Sequence, residues 1–360
     1  MTDQRHRSLD VLRGLMLVIM TIDHLDLFGP IYRFTYETVG FASAAEGFVL
    51  LSGVVAGLVY GRHADEGRLT AKITRRLGTL WQHHLVVTGA LLVWWWWQAA
   101  ERPASSMLTA VISALGGAVL LNQEPPLDIL ALYLVLVAAL VPALRLLLAG
   151  RTTVLLTTVG AMWGVDQILS AQSWYPHTIL GEVAGVSVIW HPNHFHLLAW
   201  LLLFVLGAWA GWRHRRGDGR LVRRAALPVT CLAVVVLVAM ACLRHGVILP
   251  QYPVDRLEVG RSNLGAVRLL NVALIAWVLT QLATRWPGML RHRWLELLGR
   301  NALIVFVWHV MLQLFLRPHY LEAAARWGLG ARLVILTLAV ASLTAPAWWR
   351  ERRRRLAGTA

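Results

Sequence analysis

Residues 197–210 read Leu-Leu-Ala-Trp-Leu-Leu-Leu-Phe-Val-Leu-Gly-Ala-Trp-Ala, a run without a charge. Similar runs occupy Val229–Cys242 and Leu333–Val340. Across the 360 residues, 57% are hydrophobic and 15% charged, where a soluble domain carries about 25% charged residues. A water-soluble enzyme and an open DNA-binding domain are both excluded by that pattern. The chain reads as an integral membrane protein.

A spanning helix needs about 20 mostly apolar residues. Working outward from 197–210, the candidates are approximately 10–28, 40–60, 77–98, 127–146, 153–170, 195–212, 226–243, 265–284, 301–316 and 331–349. The expected fold is therefore an all-α polytopic membrane protein with about ten transmembrane helices. Segment 107–121, short and interrupted by Gly116-Gly117, is read as a re-entrant or outer-leaflet helix.

Charge supports that count. The formal net charge is +15, and Lys72 is the only lysine. With ten spans and both termini cytoplasmic, 24 of the 34 basic residues fall on the inner side, as cytoplasmic loops prefer. An eleventh span at 107–121 would put the basic stretches 213–224 and 351–360 outside. The positive charge thus belongs to topology, and no nucleic-acid partner is expected. Trp94–Trp97 would lie at the outer interface and Trp348-Trp349 at the inner one. The first apolar stretch, Leu15–Ile22, ends in Asp23-His24-Leu25-Asp26 without a small-residue cleavage site close behind, so it is read as a retained helix. Residues 1–350 form one expected membrane domain, and 351–360 a basic cytoplasmic tail.

Ionisable groups inside spans are costly and mark functional sites by default. The first span holds Asp10, Arg13 and His24. Eleven positions separate Arg13 from His24, which is three helical turns plus roughly 20°, or about 16 Å along the axis. They share one edge, and Asp10 can pair with Arg13 at i,i+3. Glu46, early in the second span, lies at a depth comparable to His24. A carboxylate there could orient the imidazole as an acid does in a catalytic dyad. Asp23 is the rival orienter, about 100° round the helix. An interfacial ion pair and a structural bridge account for the same residues.

Other groups carry weaker signals. Lys72, Arg75 and Arg76, with Arg68, form an inner cluster that topology explains and that could also hold phosphates. His83 and His84 read as packing residues. Trp308-His309 falls mid-membrane, after Gly299-Arg300-Asn301. His191, His194 and His196 have spacing reminiscent of zinc ligands, but no second motif accompanies them, and no metal is expected. Cys231 and Cys242, eleven positions apart in one span, are beyond disulfide reach.

Several stretches together resemble the OpgC-type membrane acyltransferases, relatives of the acyltransferase-3 group. They are Arg7-Ser-Leu-Asp10-Val-Leu-Arg13-Gly14, Met20-Thr-Ile-Asp23-His24, Ala45-Glu46-Gly47-Phe48 with Ser52-Gly53, Glu124-Pro-Pro-Leu-Asp128 with Tyr133, Leu206-Gly207, and Leu298-Gly299-Arg300-Asn301 leading to Trp308-His309. The resemblance runs in order along nearly the whole chain. It implies a multi-pass cell inner membrane O-acyltransferase that moves an acyl group, succinyl in OpgC-type proteins, from cytosolic acyl-CoA to hydroxyls of a periplasmic glucan. No tightly bound cofactor is implied.

His24 matches the essential histidine of these proteins, with Glu46 and Asp23 as its catalytic companions. Arg13 matches the arginine of the donor site, where Lys72, Arg75, Arg76 and Asn301 are further candidates. Asp128, Trp308 and His309 are the candidates for substrate contact. Two departures stand out: Lys72-Ile-Thr-Arg75 replaces an Arg-x-x-Arg element, and Trp200-Leu201 stands where Trp-Gln is expected. A transporter or channel using the same polar stripe is the competing class; no inverted repeat of the kind it favours is apparent.

Overall fold

The computed structural model describes residues 2–65, 67–98, 111–112, 114–121, 127–172, 178–183, 186–190, 195–217, 227–247, 259–286 and 288–358. In chain order the elements are α1 (Thr2–Leu25), α2 (Tyr32–Thr35), α3 (Ala44–Asp65), α4 (Leu69–Gln98), α5 (Asp128–Leu148), α6 (Thr152–Ala171), β1 (Thr178–Val183) and β2 (Val186–Trp190). They continue with α7 (Leu197–Arg215), α8 (Leu227–Arg244), α9 (Ala266–Arg285), α10 (Arg293–Arg300) and α11 (Ala302–Met311). A π-turn (Leu312–Leu316), α12 (Arg317–Ser342) and α13 (Thr344–Gly358) complete the chain. Helix dominates because lipid offers no partner for backbone amides, which must bond within their own segment.

Seven stretches among the described residues are long and apolar enough to cross a membrane: Ala44–His63, Asp128–Leu148, Thr152–Ala171, Leu197–Arg215, Leu227–Arg244, Ala266–Arg285 and Ala302–Ala357. The last contains the two spans expected over 301–316 and 331–349. They separate at Gly328, whose φ of 67° interrupts α12. The expected span 10–28 falls on α1, which ends three residues earlier at Leu25, and 77–98 lies within α4, but neither is among the seven. Asp10, Arg13 and Asp23 charge the first, and Gln82, His83, His84 and a run of tryptophans dilute the second.

The expectation of an all-helical chain needs one amendment. The stretch 171–194 contains an antiparallel hairpin pairing Thr178 with Trp190 and Val183 with Val186, with a register shift between Ile179 and Gly181. Val186-Ser-Val-Ile-Trp190 is rich in the β-branched and aromatic residues that suit a pleated surface. Segment 107–121 is helical at 111–112 and 114–118. His84 Nε2 sits 2.8 Å from the Gly117 carbonyl, and Trp81 donates to the Ala118 carbonyl at 3.2 Å.

The chain forms two compact units, one of residues 1–52, 217–259 and 266–360, the other of 53–216 and 260–265. Between helices in lipid the hydrophobic drive is absent, so close packing and polar bonds must hold each unit together. In the second unit that packing is glycine-mediated. A Cβ at Gly53 would overlap the Phe204 carbonyl, one at Gly57 the Ala208 carbonyl, and one at Gly211 the Val54 carbonyl. Its core holds Leu136, Leu140, Leu144, Trp200 and Phe204. In the first unit, Leu25, Tyr320, Leu336 and Ala339 form a buried cluster against Ile22, Leu312 and Leu316. Asp26, at the foot of α1, accepts from the amides of Ile31 and Tyr32, the Tyr320 hydroxyl and the Arg332 guanidinium. Tyr320 and Arg332 lie on opposite sides of the Gly328 break, so one carboxylate ties both arms of α12 to α1.

Candidate functional site

The first unit brings together two motifs far apart in sequence. A Cβ at Gly14 would overlap the Leu295 carbonyl, and one at Gly299 the Asp10 carbonyl. Helix α10 therefore crosses α1 backbone to backbone, a contact only glycine permits. Leu298-Gly299-Arg300-Asn301 thus rests on Asp10-Val-Leu-Arg13-Gly14. Asn301 is fully buried at the joint between α10 and α11. Its Nδ2 donates to the Leu297 carbonyl at 3.0 Å, while its buried Oδ1 has no hydrogen-bond partner.

From this crossing a continuous line of side chains follows α1. Arg13 lies 3.9 Å from Asp10, and its guanidinium carbon is 5.9 Å from the centre of the Phe48 ring. Phe48 stacks on Phe306 at 6.1 Å, and Phe306 meets His309 edge-on at 4.6 Å. His309 then stacks on His24 at 5.3 Å. The edge predicted from the eleven-residue spacing exists, with two buried phenylalanines between its charged and imidazole ends.

The hydrogen bonds at the imidazole end fix a tautomer. His309 Nδ1 is 2.6 Å from the Phe306 carbonyl, which can only accept, so Nδ1 carries the proton. In the neutral ring Nε2 is then an acceptor. It faces His24 Nδ1 at 3.3 Å, so His24 donates from Nδ1. The lone pair of His24 resides on Nε2. A carbonyl, one histidine and a second histidine thus form an orienting chain with the logic of a catalytic base held by a partner.

Of the two expected carboxylate companions, Glu46 is engaged elsewhere. Glu46 Oε2 accepts from the Ser43 amide at 2.9 Å and from its hydroxyl, and Oε1 accepts from Arg268 at 2.9 Å. Its hydrogen bonds run to these groups and not to His24, because comparable depth says nothing about which face a side chain takes. Asp23 accepts from the Thr35 hydroxyl at 2.5 Å. Arg268 is almost fully buried and bridges Glu46 to Glu37, with Nε on the Val259 carbonyl at 2.9 Å. Arg244 also donates to Glu37. Beside this network, Asn271 accepts from the amides of Phe41 and Ala42 at 2.9 and 2.8 Å. Arg268, Glu37, Arg244 and Asn271 were not singled out from the sequence. Arg268, three residues into an expected span, was open to the same rule that flagged Arg13.

The remaining candidates are distributed as follows. Trp308 donates to the Ser342 hydroxyl at 3.0 Å and is partly exposed. In the second unit, Lys72, Arg75 and Arg76 project from α4 with partial or full exposure. Asp128 begins α5, buried, its carboxylate accepting the Ile129 amide. His196 lies 3.2 Å from both Asp166 and Ser170. His191, His194 and Glu124 lie outside the described residues. Among the described residues no group of three or more His, Cys, Asp or Glu side chains is placed to hold a metal ion.

The sequence pattern of the family described as OpgC protein matches residues 5–355. The chain belongs to this family. No curated protein and no solved structure matches it. Membership in the OpgC family, together with the apolar helices, makes this a membrane protein of the glucan-modifying acyltransferase class.

Proposed function

We propose that this OpgC-family protein transfers a succinyl group from cytosolic succinyl-CoA to a hydroxyl of a periplasmic glucan, with His24 as general base. The observation that carries the reading is the chain from the Phe306 carbonyl through His309 to His24, which leaves the His24 Nε2 lone pair as the basic site. Nε2 takes the proton of the sugar hydroxyl as its oxygen attacks the thioester carbonyl. The tetrahedral adduct collapses with cleavage of the carbon–sulfur bond, and the imidazolium returns its proton to the leaving thiolate. General-base assistance of this kind contributes about 10²–10⁴-fold.

Arg13, at the other end of the line, is the donor-site cation, and the unpartnered Asn301 oxygen is an acceptor for an amide of the pantetheine arm. Lys72, Arg75 and Arg76 supply charge-assisted bonds to the phosphates of the nucleotide. Asp128 and Trp308 contact the acceptor. The reading takes α1 and α4 as spans beside the more apolar helices, giving ten crossings of the cell inner membrane with both termini cytoplasmic.

The test is mass spectrometry of envelope glucans from cells carrying the wild-type protein, His24→Ala, or no gene. Succinyl esters are expected only with the wild type. Equal ester content in all three would reject the reading.

A further inference from the structure

The C-terminal part of the first unit contains a groove that the acyl-transfer chemistry does not use. Ile304, Trp308 and Met311, at i, i+4 and i+7 of α11, face Ala345, Pro346 and Trp349 of α13 across a cavity of about 370 Å³. That volume lies within the range of ligand pockets, about 300–1,000 Å³. The facing side chains are apolar, and the Trp308 indole N–H is already taken by Ser342. The cavity therefore offers nothing to a sugar or a charged group, and it suits a hydrocarbon chain.

What lies one turn further along α13 is the opposite. Residues 350–355 read Arg-Glu-Arg-Arg-Arg-Arg. Arg353 sits 4.3 Å over the ring of Trp349, a wall of the groove, and Arg352 sits 5.3 Å over Trp348. A guanidinium stacked by its face on an indole still presents its N–H fork sideways, the geometry that grips a phosphate. Neither arginine is paired with a carboxylate among the described residues. Four residues from Trp349 to Arg353 is about 6 Å of helix rise, so the cation stands just above the mouth of an apolar slot. Tryptophans at this level are the usual membrane-interface belt, and juxtamembrane arginine clusters attract anionic headgroups.

We propose that this groove is a binding site for one anionic phospholipid, its acyl chain between α11 and α13 and its phosphate on Arg352 and Arg353. Of these residues only Trp308 also figures in the acyl-transfer reading, and the variants below leave it unchanged. The test is native mass spectrometry of the full-length protein in mild detergent, titrated with phosphatidylglycerol or phosphatidylcholine of identical acyl chains. The wild type is expected to retain one phosphatidylglycerol at concentrations where phosphatidylcholine is lost. The pair Arg352→Ala and Arg353→Ala is expected to weaken retention at least tenfold. Ala345→Trp, which fills the slot and leaves the arginines intact, is expected to do the same; Ile304→Phe narrows it from the other helix should the first variant not fold. Equal retention of the two lipids, or unchanged retention in the variants, would overturn the proposal. Displacement of the lipid by free coenzyme A would assign the groove to the acyl donor and overturn it too.

Discussion

Two polar regions of the first unit, both reached from the N-terminal helices, are built in contrasting ways. Around Arg268 every strong group is answered. Two carboxylates share the guanidinium, Arg244 adds a second cation to Glu37, and a backbone carbonyl takes Nε. Around His24 the bonding instead passes in one direction, from His24 Nδ1 to His309 and from His309 to the Phe306 carbonyl, which places the His24 lone pair on Nε2. A saturated ion cluster immobilises loops and helix ends, since moving any member exposes a buried charge. A directed chain fixes a proton's address while keeping the terminal atom basic. Polar side chains enclosed by the first unit are common to the two regions. On the acyl-transfer reading, only the second is arranged for chemistry.

Substitutions separate the two. The largest effect is expected at Arg268→Leu, which leaves Glu37 and Glu46 buried without their shared cation. Breaking a buried pair from one side costs about 3–5 kcal/mol, so folded protein recovered in detergent should drop sharply, and activity with it. Wild-type yield and thermal midpoint would show that the network is dispensable. Next is His24→Ala, expected to lower transfer about 10²–10⁴-fold with an unchanged thermal midpoint; a parallel loss of stability would make the histidine architectural. Smaller still is His309→Phe, which keeps the ring and deletes the acceptor for His24 Nδ1. A decrease of about 10–10²-fold in kcat, within the span of general-base effects, is expected with little change in KM. His309→Gln, whose amide oxygen can accept, should recover part of it. Equal rates for the two variants would remove the orienting role. The smallest effect is expected for Ser342→Ala. It deletes two side-chain hydrogen bonds, one from Trp308 and one to the Ala339 carbonyl, each worth about 0.5–1.5 kcal/mol, and should lower the thermal midpoint modestly while transfer continues.

Much of this was legible from residue order. The apolar runs gave the membrane class, and the eleven-residue interval put Arg13 and His24 on one edge because helical geometry is local. Gly14 and Gly299 were visible within motifs, but the crossing they permit sets Gly14 against Leu295 and Gly299 against Asp10, partners at opposite ends of the chain that no periodicity encodes. His309 was noticed as a mid-membrane histidine and assigned to substrate contact, since its partner is fixed only when α11 packs on α1. Glu46 was matched to His24 by depth alone. Depth ignores azimuth, and its partner Arg268 stands 222 positions away along the chain. The hairpin at 178–190 was missed because the loop was read for its histidines and aromatics and not for alternation.

Asp26 and the crossing of α10 over Asp10–Gly14 grip α1 at the two ends of the segment from Arg13 to His24. A rod clamped twice cannot slide like a piston, so the interval between guanidinium and imidazole becomes a gauge of fixed length. On the acyl-transfer reading, that gauge measures its donor. A thioester on a short thiol such as N-acetylcysteamine could sit at the cationic end or at the imidazole, never at both. It should turn over far more slowly than the full coenzyme even at saturation, and equal turnover would show that nothing is being measured.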